Sequence, residues 1–136
     1  MRLVRVSVSN YRRFQDFTVT VRKNAVLLGP NDSGKSSFLR ALHLVLGVAT
    51  PQLSGSVTAR DFSERADRLS ILVELDGIDV LDRATFPDEI DVGPPEVLRI
   101  ALEGFVDPDD AEEVTVRRFF PDAGHDRPPK KDLSLP

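Results

Sequence analysis

Apolar and polar residues alternate along two stretches near the start of the chain, and this alternation predicts two half-buried strands. The apolar positions of these stretches are Leu3, Val4, Val6 and Val8, then Phe17, Val19 and Val21. The polar segment 10–13, Asn-Tyr-Arg-Arg, separates them. A continuous apolar run at 25–28 follows, and such a short run predicts a strand that is buried on both faces.

From about Lys35 to Leu46 the apolar spacing changes to three and four residues, which predicts an amphipathic helix that Gly47 ends. The apolar residues at this spacing are Phe38, Leu39, Leu42, Val45 and Leu46.

The second half of the chain predicts three further strands. Residues 48–68 read as a loop with a short turn at 61–65, and residues 69–75 as a strand. Residues 76–95 are acidic and contain proline, so they predict a loop with one helical turn. Alternation returns at 97–106 and at 114–120, on either side of the turn sequence Asp107-Pro108-Asp109-Asp110. These two stretches predict a hairpin, followed by a frayed end of about 15 residues.

Length and composition limit the class of protein. A chain of 136 residues fits one domain, and its 40% apolar content is enough for a core. The lack of cysteine excludes disulfides, thiolate metal sites and cysteine catalysis, and it fits a reducing compartment. No signal peptide or membrane-length apolar stretch is present, so we expect a soluble cytoplasmic protein without membrane contact.

The charge is distributed unevenly along the chain. Residues 1–45 hold eight Lys or Arg against two Asp, a net charge of +6, whereas the remainder holds ten against twenty. A basic section of this kind suits a polyphosphate ligand. The acidic remainder argues against a broad nucleic-acid surface.

A complete phosphate-binding loop stands at 29–37, Gly-Pro-Asn-Asp-Ser-Gly-Lys-Ser-Ser. It matches G-x-x-x-x-G-K-[ST] at every fixed position and lies between the predicted buried strand and the predicted helix. In such a loop the backbone N–H groups and the helix N-terminus face phosphate oxygens. The Lys35 ammonium reaches the terminal phosphates and the Ser36 hydroxyl holds a metal ion. The pattern therefore predicts a nucleoside triphosphate with magnesium.

The order of these elements resembles the N-terminal lobe of an ABC-type ATPase head of the RecF/SMC-like branch. The resemblance is closest to the OLD-family ATP-dependent nucleases. It rests on the segment 10–14, on the loop at 29–37 and on Ala59-Arg60-Asp61-Phe62-Ser63 before a strand. It implies an α/β fold in which a P-loop core with its helix joins antiparallel strands. Residues 1–120 would form this partial ATPase domain, and 121–136 a flexible tail or the start of a further part.

The resemblance also implies site residues. Arg12 matches the family arginine that reaches the bound nucleotide from the turn after the first strand, and Asn31 matches the loop asparagine. The nucleotide-binding residues implied in full are Arg12, Asn31, Ser33, Gly34, Lys35, Ser36 and Ser37, with Ser36 also the magnesium ligand. Asp32 departs from the more usual Asn or Gly, and a carboxylate near phosphate is unfavourable unless it points away.

Other parts of the family pattern are not found in this sequence. The family's catalytic strand ends in Asp-Glu, and the nearest candidate, Ile71 to Asp76, is interrupted by Glu74 and followed by Gly77. Segment 53–56, Leu-Ser-Gly-Ser, matches only three letters of the family signature. The Q-loop glutamine is not assigned, since Gln15 and Gln52 are the two glutamines present. We therefore expect a front portion of a larger ATPase, whether as a fragment, a truncated product or a split subunit.

The leading functional hypothesis is ATP and Mg²⁺ binding by an OLD-like or RecF/SMC-like ATPase associated with DNA processing or repair. The full-length family would imply DNA and a homodimeric partner, and hydrolysis only once the missing segments are supplied. No catalytic residue is assigned. Two alternatives stay open. One is a small P-loop kinase or NTPase, and the other is a non-catalytic nucleotide-binding or assembly module.

Overall fold

The computed structural model describes residues 1–20, 32–91, 93, 95–110 and 113–121, and for residues 32–35 it describes the backbone alone. The predicted strand at 25–28, loop residues 29–31 and the predicted tail from 122 onward lie outside the described residues. The predicted lobe boundary at 120 therefore stays a prediction.

The described strands form one antiparallel sheet. They are β1 (Arg2–Tyr11), β2 (Phe14–Thr20), β3 (Arg68–Asp76), β4 (Ile90–Asp91), β5 (Val97–Val106) and β6 (Val114–Phe119). Their order is β2-β1-β3-β5-β4, and β6 also pairs with β5. All the pairings are antiparallel. The predicted strand at 69–75 and the predicted hairpin are confirmed. The first strand differs, because it continues to Tyr11 where the sequence indicates an interruption.

One face of the sheet carries the core. Alternate side chains of β1, β3 and β5 lie on this face, as the two-residue period of a strand requires. They are Val6, Val8, Leu69, Ile71, Val73, Leu98, Ile100 and Leu102, all buried. Gly104 belongs to the same row. A β-carbon there would come within 3.3 Å of the Phe62 ring, so glycine leaves the space that Phe62 fills.

The opposite face is polar and carries a cross-strand row of ion pairs. Register places Arg5 opposite Glu74 and Glu74 opposite Arg99. Glu74 is buried, and its carboxylate contacts Arg99 Nε at 2.6 Å and Arg5 Nε at 3.5 Å. Asp76 pairs with Arg2 at 3.2 Å. Both acids of the candidate catalytic strand thus serve cross-strand pairing on the face away from the core.

Helix α1 (Asp32–Leu46) covers the core face. It begins three residues before the predicted start, and a different stripe is buried. Phe38, Ala41, Leu44 and Val45 are buried, whereas Leu39 and Leu46 are 50% and 48% exposed. The apolar spacing seen in the sequence thus includes two exposed positions. Between Phe38 and Leu46 only Arg40 and His43 are not apolar, so spacing alone did not identify the stripe that meets the sheet.

An arginine fixes the C-terminal end of α1. Arg118 of β6 is 8% exposed, and its Nη1 donates to the carbonyls of Val45 and Val48 at 3.2 and 2.5 Å. Its Nη2 donates to the Thr50 hydroxyl at 3.0 Å. The last carbonyls of a helix lack intrahelical partners and carry partial negative charge, so a cation is favourable here. Burial lowers the pKa of the Arg118 guanidinium.

The connection after α1 contains more helix than predicted. It holds 3₁₀ turns at Thr50–Gln52 and Ala59–Asp61 and a short helix α2 (Leu53–Ser56). The signature-like segment is this single turn of helix. The predicted helical turn within 76–95 is confirmed as α3 (Val80–Thr85), which Asp79 caps. None of the described helices is long and apolar enough to cross a membrane.

Candidate nucleotide-binding site

The residues predicted to bind nucleotide fall into two groups in space. Ser33, Gly34 and Lys35 lie in the first turn of α1, where the backbone alone is described, and Asn31 lies outside the described residues. Ser36 is exposed and Ser37 is buried on the same helix. The second group is Arg12, on the turn between β1 and β2. The predicted roles of all seven residues remain predictions.

The turn that carries Arg12 has an unusual backbone. Asn10 and Arg12 have φ angles of 57° and 52°. This left-handed region is uncommon for residues other than glycine, although asparagine tolerates it better than most. Such a conformation persists where surrounding contacts determine it.

Those contacts come from the segment 58–63, which lies alongside the turn. The Arg12 amide donates to the Asp61 carbonyl at 2.7 Å, and the Ser63 amide donates to the Asn10 carbonyl at 2.9 Å. The Ser63 hydroxyl donates to the Arg12 carbonyl at 2.7 Å. Tyr11 and Phe62 form an isolated antiparallel bridge between these bonds. The Arg12 backbone is therefore fixed on both sides.

The Arg12 side chain is held by the Asp61 carboxylate. Arg12 Nε and Nη2 both lie 3.1 Å from Asp61 Oδ1. The other carboxylate oxygen, Oδ2, accepts a hydrogen bond from the Thr58 amide at 2.9 Å. The Asp61 side chain is 6% exposed and the Arg12 side chain 35%. The carboxylate thus faces the interior while the guanidinium extends toward solvent.

Aromatic contacts connect the Arg12 turn to the first half of α1. Phe14, two residues after Arg12, lies 4.8 Å from Phe17 between ring centroids. Phe17 contacts Phe38 edge-on at 6.1 Å, and Phe38 follows Ser36 by two residues. The turn and the predicted phosphate-binding end of the helix therefore belong to one packed region.

Tyr11 lies beneath this region. Its ring is fully buried, and the Arg12 guanidinium stands 5.4 Å from the ring centroid. Burial raises the pKa of the Tyr11 hydroxyl, and the nearby Arg12 charge opposes that rise. Arg40, one helical turn after Ser36, donates to the Ser56 carbonyl at 2.8 Å and so connects α1 to the segment before Thr58.

Other candidate residues have structural surroundings. In the described part of the chain, no group of three or more His, Asp or Glu side chains is arranged to hold a metal ion. Asp107 accepts from the Asp109 amide within the hairpin turn, as turn residues do. Gln52 is exposed at the end of a 3₁₀ turn and Gln15 is exposed on β2. Neither position identifies a Q-loop glutamine.

Sequence reasoning did not identify Asp61 and Ser63 as site residues. A local signal existed for the first of them. Thr58 and Asp61 have the S/T-x-x-D/E spacing of a helical cap, and Asp61 does accept the Thr58 amide. The contact with Arg12 spans 49 residues of sequence, and local spacing carries no information on such a contact.

Comparisons with known proteins agree with this architecture. Residues 1–107 match a family model described as AAA ATPase domain. An OLD nuclease of Thermus scotoductus is 37% identical over 60 residues, which cover 44% of this chain and 11% of that protein. A solved structure from work on ATP-driven dimerization and DNA-stimulated activation of SMC ATPases superposes with a TM-score of 0.54. It is 13% identical, and the match covers 88% of this chain and 69% of that one. The fold is that of a P-loop ATPase with an antiparallel sheet.

Proposed function

This chain belongs to the family of AAA ATPase domains, and from that premise we propose that it binds ATP through the loop at 29–37. The observation that carries the proposal is the start of α1 at Asp32, inside the sequence motif. The first N–H groups of a helix lack intrahelical partners, and the helix dipole adds partial positive charge at this end. A phosphate group placed there meets donors and a favourable field.

Individual residues have proposed roles in this site. The Lys35 ammonium binds the terminal phosphates, and Asn31, Ser33, Gly34 and Ser37 contribute to the loop that surrounds them. The exposed Ser36 hydroxyl is the proposed Mg²⁺ ligand, because an oxygen at this motif position suits a hard cation. Arg12 supplies a second cation from the neighbouring turn, where the aromatic contacts of Phe14 and Phe17 support it.

The wider role is proposed from the relatives. The OLD nuclease and the SMC ATPases support the proposal that residues 1–120 act as the N-terminal lobe of an ATPase associated with DNA processing or repair. DNA and a second ATPase subunit are the corresponding proposed partners. A reducing compartment such as the cytoplasm fits a chain without cysteine.

Calorimetric titration of the chain with ATP tests the binding proposal. We expect saturable binding with Mg²⁺, weaker binding when a chelator removes the metal, and no comparable binding of inorganic phosphate. The Ser36→Ala variant should lose most of the Mg²⁺ dependence while it keeps the fold. Absence of ATP binding by the folded wild-type chain would contradict the proposal.

Phosphate release separates the functional alternatives. The chain should release phosphate from ATP negligibly, because the acids of β3 that stand nearest to the family pattern are engaged in ion pairs. Robust release that Lys35→Ala abolishes would instead support a small NTPase, and Glu74 and Asp76 would be the first acids to replace.

A further inference from the structure

We propose that Asp61 is a positioning residue for the nucleotide. It holds one edge of the Arg12 guanidinium and leaves the other edge for a phosphate of the bound nucleoside triphosphate. This inference rests on the proposed function of the loop at 29–37. It adds a residue that does not itself contact the ligand.

The contacts of the Arg12 guanidinium show which of its edges the Asp61 carboxylate occupies. Nε and Nη2 both lie 3.1 Å from a single oxygen of Asp61, so the carboxylate occupies the side edge of the group. Arginine has five N–H donors in a rigid plane, and its end carries the paired Nη1 and Nη2 donors. Within the described residues, Nη1 makes no hydrogen bond. An arginine held in this way can still present a fork to a phosphate.

The carboxylate is itself fixed. Asp61 is buried, its carbonyl accepts the Arg12 amide, and its Oδ2 accepts the Thr58 amide. Backbone and side chain of Asp61 therefore hold backbone and side chain of Arg12 together. A long, flexible side chain loses conformational freedom when it binds a ligand, and a support that orders it beforehand reduces that cost.

The exposed fractions of the two side chains show which partner is open to a ligand. Arg12 keeps 35% of its side-chain surface while Asp61 keeps 6%. The exposed partner is the cation. It extends from a turn whose aromatic contacts lead to the predicted phosphate-binding end of α1. Such an exposed guanidinium would bind an anionic group such as a phosphate.

A double-mutant cycle on the full chain tests the proposal, with ATP and Mg²⁺ affinity measured by calorimetry and stability by thermal melting. Asp61→Asn should weaken ATP affinity about fivefold, which corresponds to the ordering of one long side chain. Arg12→Ala should weaken it about tenfold or more. In the Arg12→Ala background, Asp61→Asn should cause no further loss of affinity, because its effect acts through Arg12.

Two further variants separate positioning from general destabilisation. Arg118→Leu removes hydrogen bonds at the C-terminal end of α1 and does not touch the Arg12 turn, so it should lower the melting temperature and leave ATP affinity within about twofold. Arg12→Lys keeps the positive charge, but an ammonium has no planar fork that could bind Asp61 along one edge and a phosphate along another. This variant should therefore bind ATP as weakly as Arg12→Ala. The lysine variant also keeps the proposal testable if Asp61→Asn does not fold.

The outcomes are distinct. If the wild-type chain does not bind ATP, both this inference and the proposed function are wrong. If the wild type binds and Asp61→Asn lowers affinity equally with and without Arg12, Asp61 supports the fold alone. Full ATP affinity in Arg12→Lys would also contradict the proposal that Asp61 and the phosphate bind different edges of the guanidinium. The assignment of the loop at 29–37 would then still hold.

Discussion

Two arginines, Arg118 of β6 and Arg12 of the turn between β1 and β2, are held in opposite ways. At the C-terminal end of α1, Arg118 is buried, and its two terminal nitrogens donate to protein oxygens of the helix end and the following turn. On the turn between β1 and β2, Arg12 is partly exposed, and a carboxylate occupies only one edge of its guanidinium.

The two guanidinium groups differ in which of their N–H donors remain available to a ligand. Arg118 donates to the buried Val45 carbonyl of the helix end and to the partly buried Val48 carbonyl after it, so Arg118 contributes to the stability of the fold. In the part of the chain that the structure describes, no carboxylate lies within ion-pair distance of it. Arg12 binds one carboxylate and, within the described residues, has a terminal nitrogen without a hydrogen bond, so we expect it to contribute to the binding of an external anion. A stability assay and a ligand-affinity assay should therefore rank the two arginines in opposite orders.

The largest expected effect is on ligand binding at the N-terminal end. Lys35→Ala should abolish measurable ATP binding, because the loop lysine is the main point charge on the terminal phosphates. The melting temperature should change little, since the loss concerns the ligand rather than the core. Calorimetry with ATP and Mg²⁺ provides the measurement. Lys23→Ala, which removes the same charge from the same basic section, is the control and should bind nearly normally. Unchanged affinity in Lys35→Ala would refute the loop assignment.

The second effect is on stability at the C-terminal end. Arg118→Leu should lower the free energy of unfolding by about 2–4 kcal/mol, because the buried Val45 carbonyl and the partly buried Val48 carbonyl lose a charged donor. Urea denaturation measures the change. The neighbouring Arg117→Leu is the matched control. Its pair with Glu103 is long, at 3.7 Å, and partly exposed, so we expect a loss of less than about 1 kcal/mol. Equal losses in both variants would remove the special role of Arg118.

The third effect compares two arginines that both pair with an aspartate. Arg12→Ala should weaken ATP binding about tenfold, as a charge-assisted hydrogen bond contributes roughly 1.5–3 kcal/mol. Arg2→Ala should have little effect. Arg2 is 76% exposed and pairs with Asp76 at the far end of β1. Titrations of both variants under one buffer decide the matter. If the two affinities fall equally, Arg12 contributes only to the general positive field of the basic section.

Much of the sheet could be predicted from sequence, because its central strands β1, β3 and β5 each have one buried face. The alternation in β3 and β5 is imposed by the core on one side and by solvent or ion pairs on the other. The buried stripe of α1 could not be predicted in the same way. Between Phe38 and Leu46 apolar residues occupy every position except Arg40 and His43, so the side that meets β3 and β5 depends on tertiary contacts.

The candidate site divides in the same manner. The loop at 29–37 is a local motif, and its spacing alone predicts a phosphate ligand. The support of Arg12 is not local, since Asp61 and Ser63 reach it from some 50 residues further along the chain. Sequence identified Arg12 only through family resemblance. The partner that holds its guanidinium became visible only when the fold placed segment 58–63 beside the turn.

The smallest expected effect is electrostatic and uses the one tyrosine of the chain. Burial raises the pKa of Tyr11 above its ordinary value of 10, and the Arg12 charge opposes this rise. The folded protein thus keeps the phenol proton to higher pH than the unfolded chain does. The free energy of unfolding should fall as pH rises above about 10, by at most about 1.4 kcal/mol per pH unit, with no contribution at lower pH. Tyr11→Phe should remove this slope.

The same tyrosine reports on the difference between the two arginines. Loss of the Arg12 charge in Arg12→Ala should raise the Tyr11 midpoint further, because one opposing charge is gone. Arg118→Leu should leave the midpoint unchanged, since Arg118 contacts the opposite end of α1. Ultraviolet absorbance of the phenolate measures both midpoints without a label, as the chain contains no tryptophan. A midpoint that does not respond to Arg12→Ala would mean that solvent screens the guanidinium. Arg12 would then offer a phosphate far less than its position beside a buried ring implies.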